Sequence, residues 1–67
     1  MQYNYLKAKM MEHSDTQRDL AVAIGVSLSR FNAKINRVRG ADFTLRELRE
    51  IKRRYDLTAA EIDTIFL

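Results

Sequence analysis

The chain has 67 residues, a formal net charge of +3, and neither cysteine nor proline. A chain of this length forms one domain, 1–67, and buries only about 60% of the surface that its unfolded form exposes. Without cysteine, disulfides and thiolate metal sites are excluded, and no apolar run approaches the roughly 20 residues that span a membrane. The composition, 31% charged with only two glycines, favours an all-α domain over a β-rich one.

The first predicted helix covers Met1 to His13. We expect Asn4 to be its N-cap, and its apolar side to consist of Leu6, Met10 and either Tyr3 or Met11. His13 is the only histidine in a chain without cysteine, which argues against a metal site or a catalytic site.

A second short helix is predicted after the polar break at Ser14 and Asp15. Thr16 and Asp19 have the spacing of a capping box, and the apolar residues behind them share one face: Leu20, Ala21 and Ile24. Gly25 is expected to end this helix, because glycine adopts the left-handed conformation without steric cost.

A third helix is predicted to begin after the N-cap Ser27. Its buried face should consist of Leu28, Phe31 and Ile35, which are spaced three and four apart. The opposite face then carries small and amide side chains flanked by cations: Ser29, Asn32, Ala33 and Asn36, with Arg30 and Lys34 at the edges. Amides pair with adenine edges, alanine contacts thymine methyls and cations reach phosphates, so this surface suits a DNA groove.

The segment from Arg37 to Asp42 is predicted to be a loop with a hinge at Gly40. Four bases and no acid lie between Arg30 and Ala41, whereas three acids and no base follow Tyr55. This asymmetry predicts that the third helix and its loop face phosphate, and that the end of the chain does not.

The last two predicted helices begin with capping boxes at Thr44 and Thr58. The longer helix should bury a face spaced by three and four residues: Leu45, Leu48, Ile51 and Tyr55. In the terminal helix, Ile62 is expected to pack into the core. The remaining apolar residues exceed what so small a bundle can cover, which predicts a two-fold dimer interface formed by Ile65, Phe66 and Leu67.

The order Thr16-Gln17, Leu20-Ala21, Gly25-Val26-Ser27, Phe31, Ile35-Asn36 resembles the helix-turn-helix of phage Cro and repressor-type regulators, the XRE family. The segments Lys34-Ile35-Asn36 and Phe43-Thr44-Leu45 are similar to those of small regulators of temperate phages. The likeness covers Tyr3 to Phe66, with the motif at about 16–36. It implies a lambda-repressor-like bundle of about five short helices, and the apolar ending at Leu67 suggests a complete Cro-sized chain.

Two positions depart from the family pattern. The family usually has glycine where this chain has Arg37, so Asn36 or Gly40 is expected to supply the unusual backbone angles of the loop. Relatives often carry a glutamine or arginine where Leu28 stands, and such a glutamine is braced by the one that begins the motif. That bracing role therefore does not transfer to Gln17.

The resemblance implies sequence-specific binding of double-stranded DNA by a transcriptional regulator, in particular a repressor. It would act as a homodimer on an inverted-repeat operator in the cytoplasm of a bacterial host. The expected base contacts are Ser29, Asn32, Ala33 and Asn36, with Leu28 divided between a thymine methyl and the core. The expected phosphate contacts are Gln17, Ser27, Arg30, Lys34, Arg37 and Arg39, although an arginine of the loop could instead enter the minor groove.

A protein-interaction module is the alternative. A small protein with this scaffold could serve as an antirepressor or an antitoxin-like partner of another regulator, since fold does not fix function. We expect no enzymatic activity and no cofactor, because the sequence contains no paired carboxylates, nucleophile and base, metal-ligand cluster or glycine-rich phosphate loop.

Overall fold

The computed structural model describes residues 3–66, except for the side chain of Phe66, and is all-helical. The α-helices are α1 (Asn4–Glu12), α2 (Gln17–Ile24), α3 (Leu28–Ile35), α4 (Leu45–Tyr55) and α5 (Ala59–Phe66), with a 3-10 turn at Val38–Gly40. The predicted all-α class with five short helices is thereby confirmed. Within residues 3–66, no helix has the length and apolar character needed to cross a membrane.

Capping residues determine where the later helices begin. The Thr16 and Thr44 side chains accept from the backbone N–H groups of Asp19 and Glu47, whose carboxylates accept from the threonine N–H in return. Thr58 and Glu61 exchange the same pair of hydrogen bonds. The predicted N-cap at Asn4 is wrong, because Asn4 is already helical and Tyr3 stands at the cap position without a side-chain cap bond.

The core is formed where α2 packs on α3 and α4, and α1 packs on α5. The most deeply buried large side chains are Phe31, Leu6, Leu20, Ile24, Ile35, Ile51 and Ile65. The ring of Phe43 lies edge-on between those of Tyr3 and Phe31, with centroid distances of 5.3 and 5.8 Å. These contacts join the segment before α4 to both α1 and α3.

The predicted buried face of α4 is wrong in part, and the structure decides between the two alternatives for α1. Met11 is 82% exposed and Leu45 is 64% exposed, so neither belongs to the core, whereas Tyr3 does. Ile65 was predicted to contact a second copy. Its side chain is only 1% exposed within a single chain, so it is not accessible to a partner. The other two predicted interface residues, the Phe66 side chain and Leu67, lie outside the described residues.

Candidate nucleic-acid interface

The turn between α2 and α3 has the local geometry that the sequence predicted. Gly25 has a φ of 77°, the left-handed conformation, and the N–H of Val26 donates to the Ala21 carbonyl at 3.0 Å. This bond satisfies the end of α2 and turns the chain. Ser27 then caps α3 by accepting from the N–H of Arg30 at 3.1 Å, which leaves its own hydroxyl proton available to a ligand.

Helix α3 has one buried face and one open face. Phe31 and Ile35 are 0% and 2% exposed. The open face carries the side chains that were predicted to contact bases: Ser29, Asn32 and Asn36 are exposed, and Ala33 is half-buried beside them. Leu28 is 38% exposed, so it stands at the edge of this surface rather than in the core.

Three amide side chains on this surface form a connected chain of hydrogen bonds. Asn36 Nδ2 donates to the Asn32 carbonyl at 3.0 Å and to Asn32 Oδ1 at 3.2 Å. Asn32 Nδ2 donates to Gln17 Oε1 at 3.1 Å. Since Gln17 begins α2, these bonds connect the start of α2 to the exposed face of α3. We call these three residues the amide cluster.

The bonds leave each amide with a different set of free groups. An amide offers two N–H donors and an oxygen with two lone pairs. Asn32 therefore keeps one donor and one acceptor site, Asn36 keeps only its oxygen, and Gln17 keeps both N–H donors. Asn32 thus has the donor and acceptor that pair with the N7 and N6 positions of adenine.

Gln17 has a bracing role that the sequence did not predict. In the regulators that the motif resembles, the partner of this glutamine stands at position 28, where this chain has leucine. The structure shows that Gln17 braces Asn32 instead, one turn further along α3.

Lys34 is not positioned as predicted. Its ammonium lies 2.6 and 2.7 Å from the two carboxylate oxygens of Glu47, and its side chain is 16% exposed. Burial alone would raise the pKa of Glu47, but the bonds from Lys34 and from the Thr44 N–H outweigh it and hold that pKa below its usual range. The pair fastens α3 to the start of α4, and Lys34 could reach a phosphate only by breaking it.

The loop after α3 holds two arginines in an unusual backbone conformation. Arg37 and Arg39 have φ values of 54° and 53°, and Gly40 has 78°, whereas Asn36 at −97° is ordinary. Gly40 thus supplies part of the geometry as expected. The other positive φ values of the loop belong to the two arginines, whose Cβ atoms make the left-handed region sterically unfavourable.

The two loop arginines differ in their contacts. Arg37 donates to Asp42 Oδ2 at 3.2 Å, and its guanidinium lies 5.7 Å from the ring centroid of Tyr3. The Tyr3 hydroxyl donates to the other oxygen of Asp42, and its burial and this bond raise the pKa of Tyr3 to about 12. Arg39 is exposed and, like Arg30, forms no ion pair with any residue in the described range 3–66.

Two residues that position this surface were missed in the sequence. Glu47 was visible only as the third residue of a capping box, a signal that explains its bond to Thr44 but not the one to Lys34. Asp42 gave no signal, because its partners Tyr3 and Arg37 depend on how α1 meets the loop. No cluster of three or more His, Asp or Glu side chains that could hold a metal occurs in the part of the chain that the structure describes.

Comparisons with protein-family models, with curated proteins and with solved structures gave no significant match to this chain.

Proposed function

We propose that this protein binds double-stranded DNA sequence-specifically through α3 and acts as a Cro-like transcriptional regulator, a repressor of its operator. The observation that carries the proposal is the amide cluster. It presents amides of defined orientation on an open helix face. Arg30 and Arg39, which form no ion pair among residues 3–66, lie on the same helix and its loop. Such a surface combines the groups that read bases with the groups that bind phosphates.

The hydrogen-bond donors and acceptors that remain free in the amide cluster give its residues different roles in binding DNA. Asn32 reads an adenine edge through one N–H and one oxygen, and Asn36 accepts from a base amino group. Ser29, Ala33 and the half-exposed Leu28 complete the base-facing surface. Gln17 directs its two free N–H groups to a phosphate, as do the remaining predicted phosphate contacts: Ser27, Arg30, Arg37 and Arg39.

Two copies are required for the mechanism. The described chain measures 27 Å along its longest axis, less than the ~34 Å that separates successive major grooves on one side of the duplex. A homodimer places one α3 in each of two such grooves on an inverted repeat and excludes polymerase from a promoter in the bacterial cytoplasm. The mechanism needs no covalent chemistry and no cofactor.

The test compares variants of the two kinds of contact, on the best duplex from a selected pool and on a scrambled duplex. Asn32→Ala should cost about 1–3 kcal/mol on the selected duplex and much less on the scrambled one. Arg39→Ala should weaken both duplexes alike and lower the slope of log K against log salt by about 1. Lys7→Ala on α1 is the matched control, because Lys7 is an exposed cation without an ion pair in residues 3–66 and lies outside α3 and its loop.

Two results would contradict the proposal. Equal losses for Asn32→Ala and Arg39→Ala on every duplex would show that the base and phosphate roles are not divided in this way. The absence of binding to any duplex, even at low salt, would favour a protein-interaction module instead.

A further inference from the structure

An apolar groove runs between α4 and α5, apart from α3 and its loop. Its walls are formed by Leu45 and Leu48 of α4 and by Ala59 and Ile62 of α5, and it encloses about 260 Å³. Leu45 is 64% exposed, and Leu48 and Ile62 are only half-buried although they touch the core. These side chains expose a continuous apolar surface, whereas the exposed residues Val22 and Met11 lie on other helices. An exposed apolar groove with charged edges is a candidate interaction surface.

Unpaired charges of opposite sign stand on the two walls of the groove. Arg49 and Lys52 line the α4 side, and Asp63 lines the α5 side. None of the three forms an ion pair with a residue in the described range, either with one another or elsewhere. The neighbours of Arg49 one turn away on α4 include Arg46, Lys52 and Arg53, so no acid on its own helix face compensates it.

We propose that this groove is a self-association surface, closed by the same groove of a second copy related by a two-fold axis. A two-fold axis that runs along the groove places the α4 wall of each chain against the α5 wall of the other, whereas an axis across the groove would place like charges together. Asp63 of each copy then faces Arg49 and Lys52 of its partner, and each attraction occurs twice. The apolar walls are covered in the same contact, which explains why Leu45 is exposed in the single chain.

Self-complementarity of charge is what points to a second copy rather than to a different protein. A partner surface of one sign would attract one wall and repel the other, whereas the groove itself carries both signs in the required places. The inference goes beyond the proposed DNA binding, which leaves the surface that joins two copies open. Because the groove lies outside the amide cluster, self-association can be measured without DNA, and its failure is distinguishable from a failure to bind DNA.

The first test measures sedimentation equilibrium of the whole chain without DNA. We expect a weak monomer–dimer equilibrium at concentrations up to roughly several hundred micromolar, as for a small interface. Leu45→Lys should raise the dissociation constant at least roughly tenfold, because it places a cation against an apolar wall. Val22→Lys is the matched control: Val22 is 75% exposed on α2, away from the groove, so its change should leave the constant within about twofold. Circular dichroism checks that both variants remain helical.

The second test reverses charges. Asp63→Lys alone and the double variant R49E/K52E alone should each dissociate at least roughly tenfold more readily than wild type, because like charges then face one another. A mixture of the two variants should associate as wild type does. In that heterodimer both contacts join opposite charges, a result that a merely structural effect of either variant would not give.

Three results would overturn the proposal. A wild-type chain that remains monomeric at several hundred micromolar would show that a second copy does not close the groove. Dimerisation that is unchanged in Leu45→Lys would place the interface elsewhere. A mixture that fails to associate would refute the reciprocal pairing.

Discussion

At the residue scale, long-range polar pairs hold the open face of α3 in place. Asn32 is oriented by Gln17, fifteen residues away, and Lys34 is held by Glu47, thirteen residues away. Both partners lie on other helices, so α3 is fixed by bonds that its own sequence does not contain. The exposed amides are thereby oriented before any ligand arrives, which reduces the entropy lost on binding.

The Lys34–Glu47 pair is predicted to stabilise the fold rather than to bind DNA. Lys34→Met leaves the Glu47 carboxylate, 3% exposed, without its cation and should lower the free energy of unfolding by about 3 kcal/mol. Arg30→Met removes an exposed cation without an ion-pair partner in residues 3–66. It should change the free energy of unfolding by less than about 0.5 kcal/mol. Urea denaturation measures both values. Unchanged stability in Lys34→Met, together with a lower salt slope for DNA binding, would instead restore the phosphate role.

Asp15 should make the fold sensitive to acid. Arg54 donates to both of its oxygens, at 2.7 and 2.8 Å, and Tyr55 donates to one of them at 2.7 Å. The bonds from Arg54, and then the bond from Tyr55, lower the pKa of Asp15 from 3.8 to about 2. A carboxyl whose pKa is lowered by folding stabilises the fold at pH values above its pKa in the unfolded chain. This contribution is lost as the pH falls through its pKa in the folded state.

The loss should therefore occur as the pH falls from about 4 to about 2. Thermal unfolding over this pH range should show that the melting temperature falls less steeply with decreasing pH in Asp15→Asn than in wild type. Asp56→Asn is the control, since its side chain makes no ion pair among residues 3–66 and asparagine also tolerates its φ of 50°. Parallel curves for wild type and Asp15→Asn would contradict this role.

At the element scale, the starts of α2 to α5 were predicted well because their signals are local, whereas α1 has no side-chain cap and its start was not. Each capping box joins residues three positions apart, and Gly25 identifies the end of α2 by its own chemistry. The contacts between elements could not be predicted in this way. The Tyr3–Asp42 bond joins residues 39 positions apart, and the exposure of Leu45 depends on where α5 lies, which the spacing of apolar residues in α4 does not encode.

We predict that the left-handed conformation of Arg39, in the 3-10 turn after α3, destabilises the fold. Arg39→Gly and Arg39→Ala remove the same cation, but only glycine accepts a φ of 53° without steric cost. The glycine variant should therefore be more stable than the alanine variant by about 1 kcal/mol in urea denaturation, while both bind duplex DNA equally less well. Equal stabilities would show that the turn relaxes, and undiminished DNA binding would remove Arg39 from the interface.

At the scale of the whole molecule, charge is distributed unevenly over the fold. Among the described residues, the cations that lack ion pairs include Arg30 and Arg39 beside the amide cluster, whereas α5 carries Glu61 and Asp63 and no base. We expect an uneven field of this kind to orient the domain as it approaches a polyanion, with α3 foremost.

The most direct test of the central claim, sequence-specific DNA binding by α3, is selection from a randomised duplex pool at near-physiological salt, with sequencing of the retained DNA. We expect enrichment of an inverted repeat whose half-sites lie about one helical turn, ~34 Å, apart. We also expect Asn32→Ala to lose the preference at one A·T pair in each half-site. Retention without enrichment, or no retention at all, would contradict the claim.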